Sequence, residues 1–451
     1  MSLCGKKVLV FGSGKSGIGA AKLLESQNAD VILYDGKTSI DQEVLKEKLG
    51  TDSKTKIILG ELKEEVIDQL DLTVMSPGVP TDLPVVNKMR EKNIPIWGEI
   101  ELGFVCGKGD VLAITGTNGK TTTTALLGEI MKSYKESVFV VGNIGNPYTS
   151  VVEETKEDTV VVAEISSFQL ETVHTFRPKV SAILNITPDH LDRHHTMEAY
   201  IGAKQSIAAN QTKEDVCVLN YEDEVTRSFG EKTTASVLYF SSQRKLNKGI
   251  YLEDENIIYS DGKEQTVVCN VNELQLLGVH NFENVMAAAA MAIAYGTPME
   301  VIREAVKRFG GVEHRIEYVC EKNGVAYYND SKGTNTDAAI KAIGAMKRPT
   351  CLIGGGYDKN ASYEEWIESF DGKVKLLVLL GATREKIAKT ARECGFENIT
   401  LVDTLEEAVE TCAQAAQPGD AVLLSPACAS WGMFNNYEER GDKFKELVKS
   451  L

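Results

Sequence analysis

The sequence predicts three α/β units in series, each built around a largely parallel sheet. Three observations carry this. The chain has 451 residues, room for three domains at about 150 residues each. Short β-branched runs alternate with helical patterns, the mark of βαβ units. The alternation is broken by a glycine-rich stretch around Gly98, Gly103, Gly107 and Gly109 and again at Gly310-Gly311, and it restarts after each break. The expected domains are residues 1–98, 99–311 and 312–451.

In the first unit, Val8–Phe11 reads as a strand, Ser16–Ser26 as a helix, Val31–Tyr34 and Leu72–Met75 as strands, and Val85–Lys92 as a helix. In the second, strands at Val111–Thr115, Val138–Val141, Val160–Glu164 and Val180–Leu184 accompany helices at Thr121–Lys132 and Met197–Ala209. Residues 233–275 read as short strands with turns between them, followed by helices Asn281–Tyr295 and Met299–Phe309. The third opens with a hairpin (Ile316–Glu321, Val325–Tyr328). Helix Thr336–Met346 and strands at Thr350–Ile353, Leu376–Leu380 and Ala421–Leu424 complete it.

Composition narrows the class. Hydrophobic residues make up 43% and charged residues 25%, which excludes a disordered, collagenous or coiled-coil chain. Lys+Arg number 49 and Asp+Glu 65, a net charge of −16. That acidity argues against nucleic acid and anionic membranes as partners. The nine cysteines form no CxxC pair, as expected in a reducing cytoplasm. The longest apolar run, Val285 to Tyr295, falls short of the roughly 20 residues that span a bilayer, so a soluble, cytoplasmic protein is expected.

The strongest motif is Ile114-Thr115-Gly116-Thr117-Asn118-Gly119-Lys120-Thr121-Thr122, between a strand and a helix. Glycines let backbone N–H groups approach phosphate oxygens, and the helix N-terminus adds a positive field. Lys120 would neutralise the β- and γ-phosphates and Thr121 would hold Mg²⁺. A strict Walker loop has Gly where this chain has Ile114. The reading is a central P-loop ATPase-type unit that takes ATP.

Gly12-Ser13-Gly14-Lys15-Ser16-Gly17 also joins a strand to a helix, and Asp35 ends the next strand near the spacing of a ribose-binding acid. This Rossmann-like pattern fits NAD, another nucleotide diphosphate, or a plain tight turn. Glu164 ends a strand in Ala163-Glu164-Ile165-Ser166-Ser167-Phe168-Gln169-Leu170, where Mg²⁺ is usually held beside a phosphate loop. Asn185-Ile186-Thr187-Pro188-Asp189-His190-Leu191-Asp192-Arg193-His194 gathers acids and imidazoles at the same sheet edge. In the third unit, Asn329-Asp330-Ser331-Lys332-Gly333-Thr334-Asn335 could contact a nucleotide or an anionic substrate, or simply cap a helix. Ser425-Pro426-Ala427-Cys428-Ala429-Ser430 could line a site or initiate a turn. Cys428 reads as structural, since no base for it is apparent.

Together these motifs resemble the Mur ligase family of peptidoglycan synthesis across essentially the whole chain. Gly142-Asn143-Ile144-Gly145, His280-Asn281-Phe282-Glu283-Asn284 and Glu313-His314-Arg315 join the set in order. The Rossmann-like first unit, Ser76-Pro77-Gly78 and the two third-unit loops resemble the D-glutamate-adding members. The alanine-adding ligases are the nearer rival, ahead of folylpolyglutamate synthases. Outside the class stand an NAD oxidoreductase, for which no nicotinamide-side motif is found, and a nucleotide-binding scaffold that does not turn over. The joint presence of Glu164, His190 and Lys204 disfavours the scaffold.

The resemblance implies that the first unit binds UDP, so the fold expected is a Rossmann-like UDP-binding domain, a P-loop ATPase-type domain and a C-terminal Rossmann-like α/β domain. It implies ATP, D-glutamate and UDP-N-acetylmuramoyl-L-alanine as substrates and an acyl-phosphate intermediate; separately from the resemblance, a monomer is expected. Lys15, Ser16, Asp35, Gly78, Asn143 and His190 fall on the UDP-substrate side. Gly116, Thr117, Asn118, Gly119, Lys120, Thr121, Thr122, Asn281, Asn284, Arg315 and Asp330 fall on ATP. Lys332, Thr334, Lys359, Ser430 and Tyr437 fall on D-glutamate. Thr121 and Glu164 would hold one Mg²⁺, and His190 with a carbamylated Lys204 the second.

Overall fold

The structure is a computed structural model that describes residues 2–276, 278–358 and 361–451. The chain forms two compact units. One comprises Met1–Val271 with Glu283–Val306, the other Asn272–Phe282 with Lys307–Leu451.

The larger unit contains two sheets. The first has strands β1 (Lys7–Phe11), β2 (Asp30–Asp35), β3 (Lys56–Leu59), β4 (Leu72–Met75) and β5 (Ile96–Gly98), all parallel, in the order β3-β2-β1-β4-β5. The order reverses between β1 and β4, and a crevice opens at the carboxyl ends of strands at such a point. The second sheet has β6 (Asp110–Thr115), β7 (Val138–Gly142), β8 (Val160–Glu164), β9 (Val180–Ile183), β10 (Val216–Asn220), β11 (Ser236–Ser241), β12 (Gly249–Glu253), β13 (Asn256–Ser260) and β14 (Gln265–Asn270). Its order is β14-β13-β12-β11-β10-β9-β6-β8-β7, parallel except for the β12-β13-β14 meander.

The smaller unit has one sheet: β15 (Glu317–Lys322), β16 (Val325–Asn329), β17 (Thr350–Gly354), β18 (Val374–Leu379), β19 (Ile399–Leu401) and β20 (Ala421–Leu424), in the order β15-β16-β20-β17-β18-β19. Only β15 runs antiparallel. Strand β20 inserts between β16 and β17, so the loops after these three strands share one edge. Parallel strands are covered on both faces and read as unbroken apolar runs; Cys351, Leu352, Ile353, Val422 and Leu423 are all fully buried.

The structure adds detail that the sequence reading lacked. The glycine-rich stretch after Gly98 is a helix, Glu99–Cys106, whose acids are buried. The Glu99 carboxylate accepts the Thr149 backbone N–H and hydroxyl. The Glu101 carboxylate accepts the N–H groups of His174, Thr175 and Phe176. Gly103 is there because a Cβ would strike the Tyr148 ring. Beyond the expected boundary at Gly98, Gly103 and Gly107 permit close packing of the helix against Tyr148. Strands β3, β5, β10 and β19 also escaped the sequence reading, being short or weakly patterned. The apolar run from Val285 lies inside helix Val279–Tyr295, where Val285 to Ala292 have no exposed surface. It is a core helix, and no helix among the described residues is long and apolar enough to cross a membrane.

Candidate active site

The first-sheet end of the site is a tight turn. Gly17 must be glycine, since a Cβ there would overlap the Gly12 carbonyl oxygen. Lys15 and Ser16 open helix Lys15–Ser26, with Lys15 exposed. The Ser76 hydroxyl donates to the Gly12 carbonyl at 3.2 Å, which brings exposed Gly78 beside this turn. Asp35 accepts the Ser13 N–H (3.0 Å), the Ser13 hydroxyl (2.7 Å) and the Lys37 N–H (3.1 Å). Burial alone would raise its pKa, but these hydrogen bonds outweigh it and hold the carboxyl below its usual range. One Asp35 oxygen therefore braces the glycine turn.

The phosphate loop follows β6. Gly119 sits at φ +84° as the N-cap of helix Lys120–Lys132, and a Cβ there would overlap Asn284 Oδ1. Asn284 also lies 3.3 Å from the Thr123 hydroxyl, which donates to it. The loop is sewn to the segment after β9. Thr117 N–H donates to the Asn185 carbonyl (2.9 Å), Asn118 N–H to Asn185 Oδ1 (2.8 Å), and the Thr117 hydroxyl to the Thr187 carbonyl (3.1 Å). Lys120 Nζ folds back onto the Gly116 and Thr117 carbonyls at 2.9 and 3.0 Å. Thr121 is half-buried, while Thr122 is buried and faces the packed side of its helix.

Glu164 pairs in register with Ile114, so its carboxylate stands next to the loop's strand. Its Oε1 accepts the Asn143 side-chain amide at 2.8 Å, and its buried Oε2 has no hydrogen-bond partner. Lys204 is buried; its Nζ donates to the Gly116 carbonyl at 2.8 Å and lies 4.7 Å from the Tyr200 ring centre. Burial, then the neighbouring Lys120 ammonium, pull its pKa down to about 7. His190 is exposed at φ +53°, its ring 4.9 Å from that of Phe168 and its Nε2 3.5 Å from Asp189.

Arg193 and His194, quoted in the sequence motif without a role of their own, join Thr81, which the sequence analysis did not single out, in connecting the two sheets. Arg193 donates to the Val79 carbonyl (3.0 Å) and to Glu171 (2.7 Å), and its guanidinium stacks 4.9 Å from the Phe168 ring centre. Thr81 donates to the same Glu171 oxygen at 3.1 Å. His194 is buried, with Nε2 2.9 Å from the Ser167 hydroxyl and Nδ1 3.4 Å from Glu171. Burial lowers the His194 pKa, partly offset by Glu171. A lone arginine and histidine in a motif carry no signal of such linkage until the fold supplies their partners.

The smaller unit gathers a separate group. Asp330 is buried, accepting the Ser425 hydroxyl (2.7 Å) and the Ile316 N–H (3.2 Å). Burial pushes its pKa up to about 7 against the pull of Ser425 and Arg315. Arg315 is exposed next to it. Lys332 Nζ lies 5.4 Å from the Tyr437 ring centre, and burial pushes the Tyr437 phenol up to about 12. Ser430 is buried, and Thr334 donates its N–H to the Lys332 carbonyl. Asn281, also buried, lies on helix Val279–Tyr295 three residues before Asn284. Lys359 lies outside the described residues. The Cys428 thiol sits between Tyr363 (3.2 Å) and Thr383 (3.4 Å) and burial pushes its pKa up, the environment of an inert thiol.

Among the described residues, no three His, Cys, Asp or Glu side chains gather as a metal cage. Magnesium does not need one, because it is usually held by one or two carboxylates together with substrate phosphates and water. The unpartnered Glu164 oxygen fits that pattern. A protonated Lys204 does not, since its ammonium repels a cation.

The chain matches three domain families in order: Mur ligase MurD-like N-terminal domain over residues 6–98, Mur ligase middle domain over 114–292, and Mur ligase glutamate ligase domain over 314–428. It is 60% identical to the UDP-N-acetylmuramoylalanine--D-glutamate ligase of Lachnoclostridium phytofermentans, covering 100% of this chain and 99% of that one. It is 57% identical to the ligase of the same name from Lachnospira eligens, covering 100% of both. Among solved structures, UDP-N-acetylmuramate-alanine ligase of Thermotoga maritima shares the fold, with a TM-score of 0.60 at 21% identity over 99% of both chains. MurF ligase of Thermotoga maritima in complex with ADP does so with a TM-score of 0.56 at 17% identity, over 100% of this chain and 96% of that one. The chain belongs to the Mur ligase family, in its MurD-like branch.

Proposed function

We propose that the protein is an ATP-dependent carbon–nitrogen ligase that joins D-glutamate to UDP-N-acetylmuramoyl-L-alanine in the cytoplasm. The supporting observation is a phosphate loop whose carbonyl collects two lysine ammonium groups, beside a buried carboxylate with one unpartnered oxygen. The relatives named as D-glutamate ligases, matched end to end, supply the choice of amino acid. The acting form is a monomer with domains at residues 1–98, 99–311 and 312–451.

The chemistry follows from the difficulty of the reaction. A carboxylate is a poor electrophile. The γ-phosphoryl of ATP is therefore transferred to the terminal alanine carboxylate, giving an acyl phosphate and ADP. Gly116, Thr117 and Asn118 shape the loop, the backbone N–H groups of Gly119 to Thr122 cradle the phosphates, and Lys120 leaves its own loop carbonyls to neutralise them. Lys15, Ser16, Asp35, Gly78, Asn143 and His190 position the UDP-linked substrate. Asn281, Asn284, Arg315 and Asp330 position ATP. The amine of D-glutamate, held by Lys332, Thr334, Lys359, Ser430 and Tyr437, attacks the acyl carbon, and the tetrahedral adduct expels phosphate to leave the amide.

Thr121 and Glu164 would hold one Mg²⁺, and His190 and Lys204 a second. Bound there, the metal supplies charge neutralisation at the phosphates. Lys204 fits this role as a carbamate. With a pKa near 7 much of it is the neutral amine, which adds CO₂, loses a proton and becomes an anionic oxygen ligand. The deciding experiment is an amino-acid panel with ATP and UDP-N-acetylmuramoyl-L-alanine, read by phosphate release. D-glutamate should be strongly preferred over L-glutamate and D-alanine. Efficient use of L-alanine, or no amino-acid-dependent release, overturns the reading.

A further inference from the structure

The smaller unit buries an arginine where helix physics disfavours one. Arg440 is the fourth residue of helix Tyr437–Ser450, in the turn whose N–H groups already present positive charge. It is only 3% exposed. It forms no ion pair among the described residues. Its guanidinium donates instead to neutral oxygens: Nε to the Ser331 hydroxyl (2.9 Å), Nη2 to the Ser331 carbonyl (2.7 Å) and Nη1 to the Cys428 carbonyl (3.2 Å). Burial lowers its pKa, but only to about 10, so the charge stays at neutral pH. The Asp330 carboxyl is nearby, yet it is tied to Ser425 and pushed toward its neutral form.

A buried cation with no carboxylate partner is costly. Its three hydrogen bonds to neutral oxygens offset part of that cost, and an anion within reach of its field would offset more. The three oxygens that Arg440 grips belong to the loops after β16 and β20, which carry Lys332, Thr334 and Ser430. Ser331 in turn donates its hydroxyl to the Tyr437 carbonyl at 2.7 Å. Arg440 also lines a small cavity with Ser430, Gly355, Gly356, Pro426 and Phe434.

We propose that Arg440 is a specificity-determining residue for the amino acid: it locks the two loops in register and supplies the positive potential that selects a dicarboxylate over its uncharged amide. This rests on the ligase reading above. The residue acts from behind the loops, by position and field.

The test compares D-glutamate with D-glutamine, which has nearly the same shape and lacks the side-chain charge. Full-length wild type, Arg440→Met and Arg440→Lys are assayed for kcat and KM with each substrate. In Arg440→Met, KM for D-glutamate should rise by about tenfold or more, the range of a charge-assisted interaction. The D-glutamate to D-glutamine ratio of kcat/KM should fall by a similar factor, with KM for ATP and for the UDP-linked substrate nearly unchanged. Arg440→Lys, which keeps the charge, should keep most of the ratio even where kcat drops. If Arg440→Met does not fold, the lysine variant decides alone: a ratio lost with the charge retained overturns the proposal. An unchanged ratio in a folded Arg440→Met, or an equal rise in all three KM values, overturns it too. A wild type that does not use D-glutamate overturns the ligase reading itself, and this inference with it.

Discussion

Lys120 and Lys204 donate to the same atom: the Gly116 carbonyl oxygen lies 2.9 Å from one ammonium nitrogen and 2.8 Å from the other. Two cations on one oxygen repel each other. Lys120 can leave along its half-exposed path when a phosphate arrives, whereas Lys204 is walled in. In the proposed reaction, Lys120 is the lysine that moves and Lys204 the one that stays fixed.

Removing Lys204 should therefore separate charge from chemistry. Lys204→Ala is expected to be inactive and partly rescued by short carboxylic acids that replace the lost oxygens. Lys204→Arg should stay inactive, because guanidinium remains cationic. Phosphate release measures both, and an active arginine variant would make Lys204 a structural charge only.

Lys204 also predicts a pH dependence of stability. Its folded pKa is lowered from 10.5 to about 7, so between those values the unfolded chain binds more protons. Stability contributed at this site rises with pH across that window. In CO₂-depleted buffer, thermal unfolding of wild type should gain on Lys204→Met between pH 7 and pH 9, values inside the window. Parallel curves would show that the amine is not depressed.

Asp330 runs the other way. Its folded pKa is raised from 3.8 to about 7. The folded chain then binds more protons, and stability falls as pH rises through that range. The loss should be on the order of a few kcal/mol at most. Asp330→Asn mimics the protonated acid and should flatten the wild-type decline in melting temperature between pH 4 and pH 7. A variant with the same slope as wild type would place the titrating group elsewhere.

Lys120→Ala should abolish ATP-dependent phosphate release and leave the melting temperature nearly unchanged, because the ammonium of this half-buried residue serves the phosphates and not the packed core. Each 1.36 kcal/mol of barrier is about tenfold in rate, so several factors of ten are expected. Near-normal turnover would remove Lys120 from the phosphate site.

Arg193 ties the turn that contains Gly78 to the segment that carries His190, through Val79, Glu171 and Phe168. Arg193→Met should lower kcat/KM for the UDP-linked substrate by about ten- to a hundredfold, from the loss of charge-assisted hydrogen bonds. The affinity for ATP alone, measured by calorimetry, should hold. A matching loss of ATP affinity would show a general collapse of the segment.

The sequence by itself determined the elements whose signals are local. The phosphate loop, the turn at Gly12 and the strands ending in Glu164, Asn329 and Leu424 were legible because glycine freedom and β-branched runs act within a few residues. Periodicity likewise placed helix Met299–Arg308. What needed the tertiary structure was burial, and everything burial does to charge. Lys204 and Gly116 are 88 positions apart, and Arg440 and Ser331 109. No local pattern distinguishes these two cations from solvated ones on a helix surface. The glycines after Gly98 read as a break between domains, and the packing of Gly103 and Gly107 against Tyr148 was not legible, because a glycine that permits close packing and one that permits a bend are the same residue. Asp35 stood at the spacing of a ribose-binding acid, yet only the fold spends one of its oxygens on Ser13. Conformational preference is written in neighbours along the chain; desolvation and pairing depend on neighbours in space, which exist only once the sheets have closed.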